Sequence, residues 1–108
     1  MRAKIIKNPF KGWERIVYPT FSKGTKVIIH QESEHFNWLE AEIQGHESYV
    51  PKEFLTDGRL NCDYNPTELN VNIGDIIKIT YINTLWVFAE DLNGNTGWVL
   101  GENLVSVT

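Results

Sequence analysis

Apolar and polar positions alternate with a period of two along several short stretches of this 108-residue chain, and no stretch keeps apolar residues three and four apart over a helical length. In WLEAEI (38–43), Leu39, Ala41 and Ile43 share one face, with Trp38, Glu40 and Glu42 on the other. WVFAED (86–91) repeats the arrangement, with Val87 and Ala89 opposing Trp86, Phe88 and Glu90. TKVIIHQ (25–31) and DIIKITYI (75–82) are rich in β-branched residues that suit a pleated surface. Asn93-Gly94 stands between WVFAEDL and NTGWVL and predicts a hairpin, because both residues tolerate positive φ. VPKEF (50–54) and VLGEN (99–103) have room for one helical or 3-10 turn before a closing strand. These elements predict an all-β chain of short strands, a small barrel or sandwich.

The same elements occur twice in the same order. FSKGTKVII (21–29) aligns with VNIGDIIKI (71–79), Gly24 on Gly74, at an offset of fifty. NWLEAE (37–42) then matches LWVFAE (85–90) at forty-eight, and GHESYVPKEFL (45–55) matches GNTGWVLGENL (94–104) at forty-nine. Small drifts in offset are loop-length changes between matched strands, so the pattern predicts a duplicated β domain, with units at 1–57 and 58–108. Only TDGR lies between Leu55 and Leu60, too short for a flexible tether, so the two units are expected to pack together. Strand alternation places Trp38 and Trp86 on the glutamate-bearing faces, where each indole is expected to be partly exposed.

The order Cys62-Asp63-Tyr64, Glu68-Leu69-Asn70-Val71, Gly74-Asp75, Trp86 with Ala89, Gly97-Trp98-Val99 and Leu104-Val105 resembles the Src-homology-3 domain, a small five-stranded β-barrel. The resemblance spans nearly all of 59–108 and extends more weakly over 3–57, where Ala3 opens the first strand and GHESYVPKEFL stands close to the family's ending. It implies two tandem SH3-like barrels, and a function of binding Pro-rich segments whose polyproline II helix seats between aromatic rings. It also implies site residues. In the second copy Tyr64 and Trp86 match groove rings and Glu68 the acid that pairs with a ligand Arg or Lys, while Cys62, Leu100 and Asn103 depart from the pattern. In the first copy Trp38, Pro51 and Phe54 match, the acid position falls near Tyr18, and AKIIK puts Ile5 and Lys7 where tyrosines belong. A longer loop carrying Trp13 and Tyr18 fills that interval. Neither copy holds a complete groove, and each missing ring removes stacking worth about 0.5–1.5 kcal/mol.

Charge narrows the partners. Residues 1–57 balance eight Lys/Arg against eight Asp/Glu, whereas 58–108 carry two against six. An acidic surface favours a cationic partner and disfavours nucleic acid, which needs a positive groove, so the Pro-rich protein or peptide that the resemblance implies is expected to be basic. Attachment to cell-wall peptides, a purely structural role with the grooves lost, and weak nucleic-acid binding are the alternative classes. Cys62 is the one cysteine, excluding an internal disulfide and a Cys-based zinc motif. His30, His35 and His46 lack metalloprotease spacing, and Glu32 with Glu34 and Glu40 with Glu42 read as solvated same-face pairs. Phosphate-loop, dinucleotide and nucleophile-elbow motifs are missing, so a non-enzymatic chain with no cofactor and no metal is expected. No apolar run approaches the roughly 20 residues of a membrane span, and no apolar region follows the basic start, which makes cytoplasm the expected location.

Overall fold

The computed structural model describes residues 1–7, 15–34, 37–83 and 85–107. The strands in chain order are β1 (Arg2–Ile5), β2 (Val27–Glu32), β3 (Trp38–Ile43), β4 (His46–Pro51), β5 (Leu55–Thr56), β6 (Arg59–Leu60), β7 (Ile76–Asn83), β8 (Trp86–Glu90), β9 (Thr96–Leu100) and β10 (Leu104–Val107). Two 3-10 turns, Lys52–Phe54 and Gly101–Asn103, precede β5 and β10 at the positions where only a single turn fits. No α-helix occurs among the described residues, and none is long and apolar enough to cross a membrane.

The chain divides into two compact units. A discontinuous unit joins Met1–Val17 to Thr67–Thr108, and a continuous unit comprises Tyr18–Pro66. These units differ from a division at 57/58, and the reason is local. Asp57 and Gly58 both have positive φ (51° and 75°), the signature of a type I′ turn, and they join β5 to β6 with Leu55 opposite Leu60. The stretch expected to link two units is thus the turn of a hairpin, and Asp-Gly is one of the strongest sequence signals for such a turn.

In the discontinuous unit the sheet order is β10-β1-β7-β8-β9, all antiparallel. β1 lies between β10 and β7, with Ile5 opposite Leu104 and Ala3 opposite Ile77. Ala3, Ile5, Leu69, Val71, Ile77, Val87, Ala89 and Val99 form its buried core, as the period-two pattern of β8 requires. In the continuous unit β2-β3-β4 form one sheet and β5-β6 another, with an isolated bridge from Lys26 to Arg59. Arg59 and Leu60 therefore stand to β2 and β5 as Lys4 and Ile5 stand to β7 and β10. Each unit has an equivalent first strand, but one unit begins with it and the other ends with it.

Irregularities fall at matching positions of the two units. The β2–β3 register shifts between Ile29 and Gln31, and the β7–β8 register between Ile79 and Tyr81, fifty positions on. Gly24 and Gly74 open the paired strands with φ of 93° and 98°, a conformation that side-chain-bearing residues resist. The β8–β9 hairpin forms as expected, but only Gly94 of the Asn93-Gly94 pair has positive φ. Asp91 closes that turn by accepting the N–H groups of Asn93 and Asn95, each at 2.9 Å.

Three expectations need correction. Trp38 is 5% exposed rather than partly open, because alternation assigns the indole a face without saying what packs on that face. Closed barrels are absent among the described residues, where the sheets stay open with five, three and two strands. The charge imbalance also moves: the continuous unit holds four Lys/Arg against eight Asp/Glu, and the discontinuous unit six against six, so the acidic excess belongs to Tyr18–Pro66.

Candidate functional site

The strand assignment gathers five of the seven expected binding residues into the continuous unit. Trp38 begins β3 and stands directly opposite Pro51, the last residue of β4. The backbone then enters the 3-10 turn, held by the Lys52 N–H donating to Asn37 O at 2.8 Å, and the turn ends on Phe54. Tyr64 arrives from beyond β6. Its backbone exchanges two hydrogen bonds with Phe21, both 2.8 Å, and its ring meets Phe54 edge-on with centroids 5.5 Å apart. Tyr18 opens the unit, donating its hydroxyl to Glu47 O at 3.0 Å and setting its ring edge-on to His46 at 6.1 Å.

Burial separates these residues. Trp38, Pro51 and Tyr64 are buried, whereas Tyr18 and Phe54 are half-buried. Tyr64 donates its hydroxyl to Tyr49 O at 2.6 Å, so its polar end is satisfied inside the unit. Burial pushes its phenol pKa far up, the neighbouring Tyr18 adds to the rise, and a hydrogen bond with Ser48 acts against it. Tyr64 is consequently a packed, neutral ring, and Phe54 and Tyr18 are the accessible edge of the set.

The other two residues lie in the discontinuous unit. Glu68 bridges to Trp98 through its backbone, and its carbonyl oxygen accepts from Arg15 Nη1 at 3.0 Å. Burial raises the Glu68 carboxyl pKa, with the Arg15 charge pulling the other way, which is unlike an acid held in open solvent for a ligand. Trp86 starts β8 opposite Leu100 and is half-buried. Nearby, the buried Trp98 ring meets Phe88 at 5.3 Å and Tyr81 at 6.2 Å, both edge-on. Trp13 and His35 lie outside the described residues. Cys62 is half-buried, and burial with the adjacent Asp63 pushes its thiol pKa up, which makes it a poor nucleophile.

Two features escaped the sequence reading. Phe21 is fully buried and anchors Tyr64, and its signal was an apolar residue just before the Gly24 turn. An open depression of about 320 Å³ is lined by Tyr18, His30, Glu40, Glu47, Ser48 and Tyr49. Tyr18 precedes β2, and the others come from β2, β3 and β4, whose register is set by turns, so spacing along the chain does not reveal them.

Residues 58–105 match the variant SH3 domain family. None of the curated proteins and none of the solved structures compared with the chain matches it. The match runs straight through the Pro66–Thr67 junction of the two compact units, reading in linear order a first strand that pairs within the continuous unit. Over 58–105 the chain is similar to SH3 domains, which generally bind proteins and are typically non-catalytic.

Proposed function

We propose that the chain is a non-catalytic protein-binding module made of two SH3-like units, and that the aromatic set of Tyr18–Pro66 receives a basic, Pro-rich peptide segment. The observation that carries this reading is the convergence of Tyr64 and Phe54, 5.5 Å apart, with the Trp38–Pro51 pair in one unit. Residues that the linear repeat divides between two incomplete grooves belong to one set, and the absent tyrosines of AKIIK cease to matter for it. Trp38, Pro51 and Tyr64 serve as a rigid base, and Phe54 and Tyr18 supply the contact edge. A polyproline II segment suits such a surface because it arrives already ordered. The twofold excess of acidic over basic side chains in this unit favours a cationic segment.

The test is a ¹H–¹⁵N titration with a basic Pro-rich peptide, read at the backbone around Phe54 and Tyr18 and at the indole N–H groups of Trp38 and Trp86. Saturable shifts confined to the continuous unit, weakened by Phe54→Ala and by added salt, are expected. Shifts confined to Trp86 and its neighbours, or none with the protein folded, would overturn the assignment.

A further inference from the structure

On the face of the three-stranded sheet that carries Glu40 and Glu42, a second constellation adjoins the aromatic set at Tyr18, whose hydroxyl donates to Glu47 O. The ligand atoms of His30, Glu42 and Glu47 all lie within 4.8 Å of one another. Each comes from a different adjacent strand: His30 from β2, Glu42 from β3 and Glu47 from β4. Glu42 and Glu47 are directly opposed across β3–β4, a like-charge pairing that an antiparallel sheet ordinarily disfavours. His30 owes its place to the register shift, since Ile29 pairs with Ala41 and Gln31 with Glu40, leaving His30 as the extra residue of a bulge. Bulges re-aim side chains, and here the imidazole Nε2 comes to 3.2 Å from Glu47 Oε2. Lys52, in the 3-10 turn after β4, is engaged with Glu32 instead.

We propose that His30, Glu42 and Glu47 form a binding site for a divalent first-row transition cation, with Zn²⁺ as the representative ion. One imidazole nitrogen and two carboxylates on a rigid sheet satisfy the ligand preferences of such an ion. The two carboxylate charges match the ion's charge and remove the cross-strand repulsion. Binding requires the Nε2 lone pair, so His30 carries its proton on Nδ1 in the occupied site and exchanges its contact with Glu47 Oε2 for the metal. His30 and Glu47 also line the open depression, which leaves remaining coordination positions to water or to a donor from a partner. The site borders the proposed peptide-contact edge at Tyr18, but its ligand set does not rest on the peptide-binding reading.

The test is a Zn²⁺ titration of the untagged full chain, without peptide, in a non-chelating buffer, followed by calorimetry and by the ¹⁵N signals of the histidine rings. Saturable one-site binding with the largest shift at His30 Nε2 is expected. His30→Gln and Glu42→Gln should each weaken it by about tenfold or more. His46→Gln should leave the affinity within about twofold, and each variant's amide spectrum checks that it is folded. Absence of saturable binding up to millimolar Zn²⁺, or affinity unchanged in folded His30→Gln, would overturn the proposal. A His30 ring that responds to a basic peptide but not to Zn²⁺ would also overturn it and assign the cluster to a cationic side chain.

Discussion

Replacing Ile5 by Ala tests the pairing on which the division of the chain rests. Ile5 is fully buried in β1, between β10 and β7, and contributes to a core with Leu69, Ile77, Val87 and Val99. Its backbone is tied on one side, with the Ile5 N–H donating to Asp75 O at 2.9 Å and the Gly74 N–H donating to Ile5 O at 2.8 Å. A strand held in the middle of a sheet cannot collapse into the space that truncation leaves. The loss is therefore set near the middle of the range for such changes, about 3 kcal/mol, which multiplies the open population of that unit by about a hundred. Native-state hydrogen exchange by NMR reads this directly. Amide protection in β7, β8 and β9 should fall by about that factor, with a smaller loss in β3 and β4. Leu60→Ala is the mirror experiment, since Leu60 is 2% exposed and sits in the equivalent strand of the other unit. Its larger effect should be on β3 and β4. Protection lost chiefly in β3 and β4 on Ile5→Ala would refute the strand assignment and restore two contiguous units.

Two other outcomes are expected. A Cβ added at Gly97 would lie 2.6 Å from Leu69 N and 2.8 Å from Leu69 Cα, both backbone atoms, so Gly97→Ala should destabilise the discontinuous unit by about 1–3 kcal/mol in chemical denaturation, and an unchanged midpoint would contradict the close approach of those segments. For Glu68 the folded-state pKa is raised, so its ionisation opposes folding as pH rises from the unfolded value through the folded one; Glu68→Gln should raise the melting temperature at neutral pH, and the gain should vanish below about pH 4, where both states are protonated in the parent chain. A gain that persists in acid would point to packing rather than charge.

Much of this molecule is legible locally. Period-two alternation in WLEAEI and WVFAED places Leu39, Ala41, Ile43, Val87 and Ala89 in the buried set they occupy. The aligned sequence blocks foresee the turns at Gly24 and Gly74 and the 3-10 turns before β5 and β10. Asp57-Gly58 carried its hairpin signal as clearly as Asn93-Gly94, but a turn between two repeats is easily read as a boundary. The candidate site was legible as residue types and not as a grouping: Trp38, Pro51, Phe54 and Tyr64 are all visible, yet Tyr64 reads with Trp86 until strands are paired.

The sequence by itself determined which segments are strands, which of their faces are apolar and where the backbone must turn, because those depend on side-chain period and on φ preferences over a few residues. Only the tertiary structure decided which first strand completes which unit, since AKI and the Arg59-Leu60 pair offer either sheet a similar short apolar edge. That choice depends on contacts such as Ile5 with Leu104, nearly the whole chain apart, and on a tight Asp-Gly turn that commits β6 to β5 before any other partner is available.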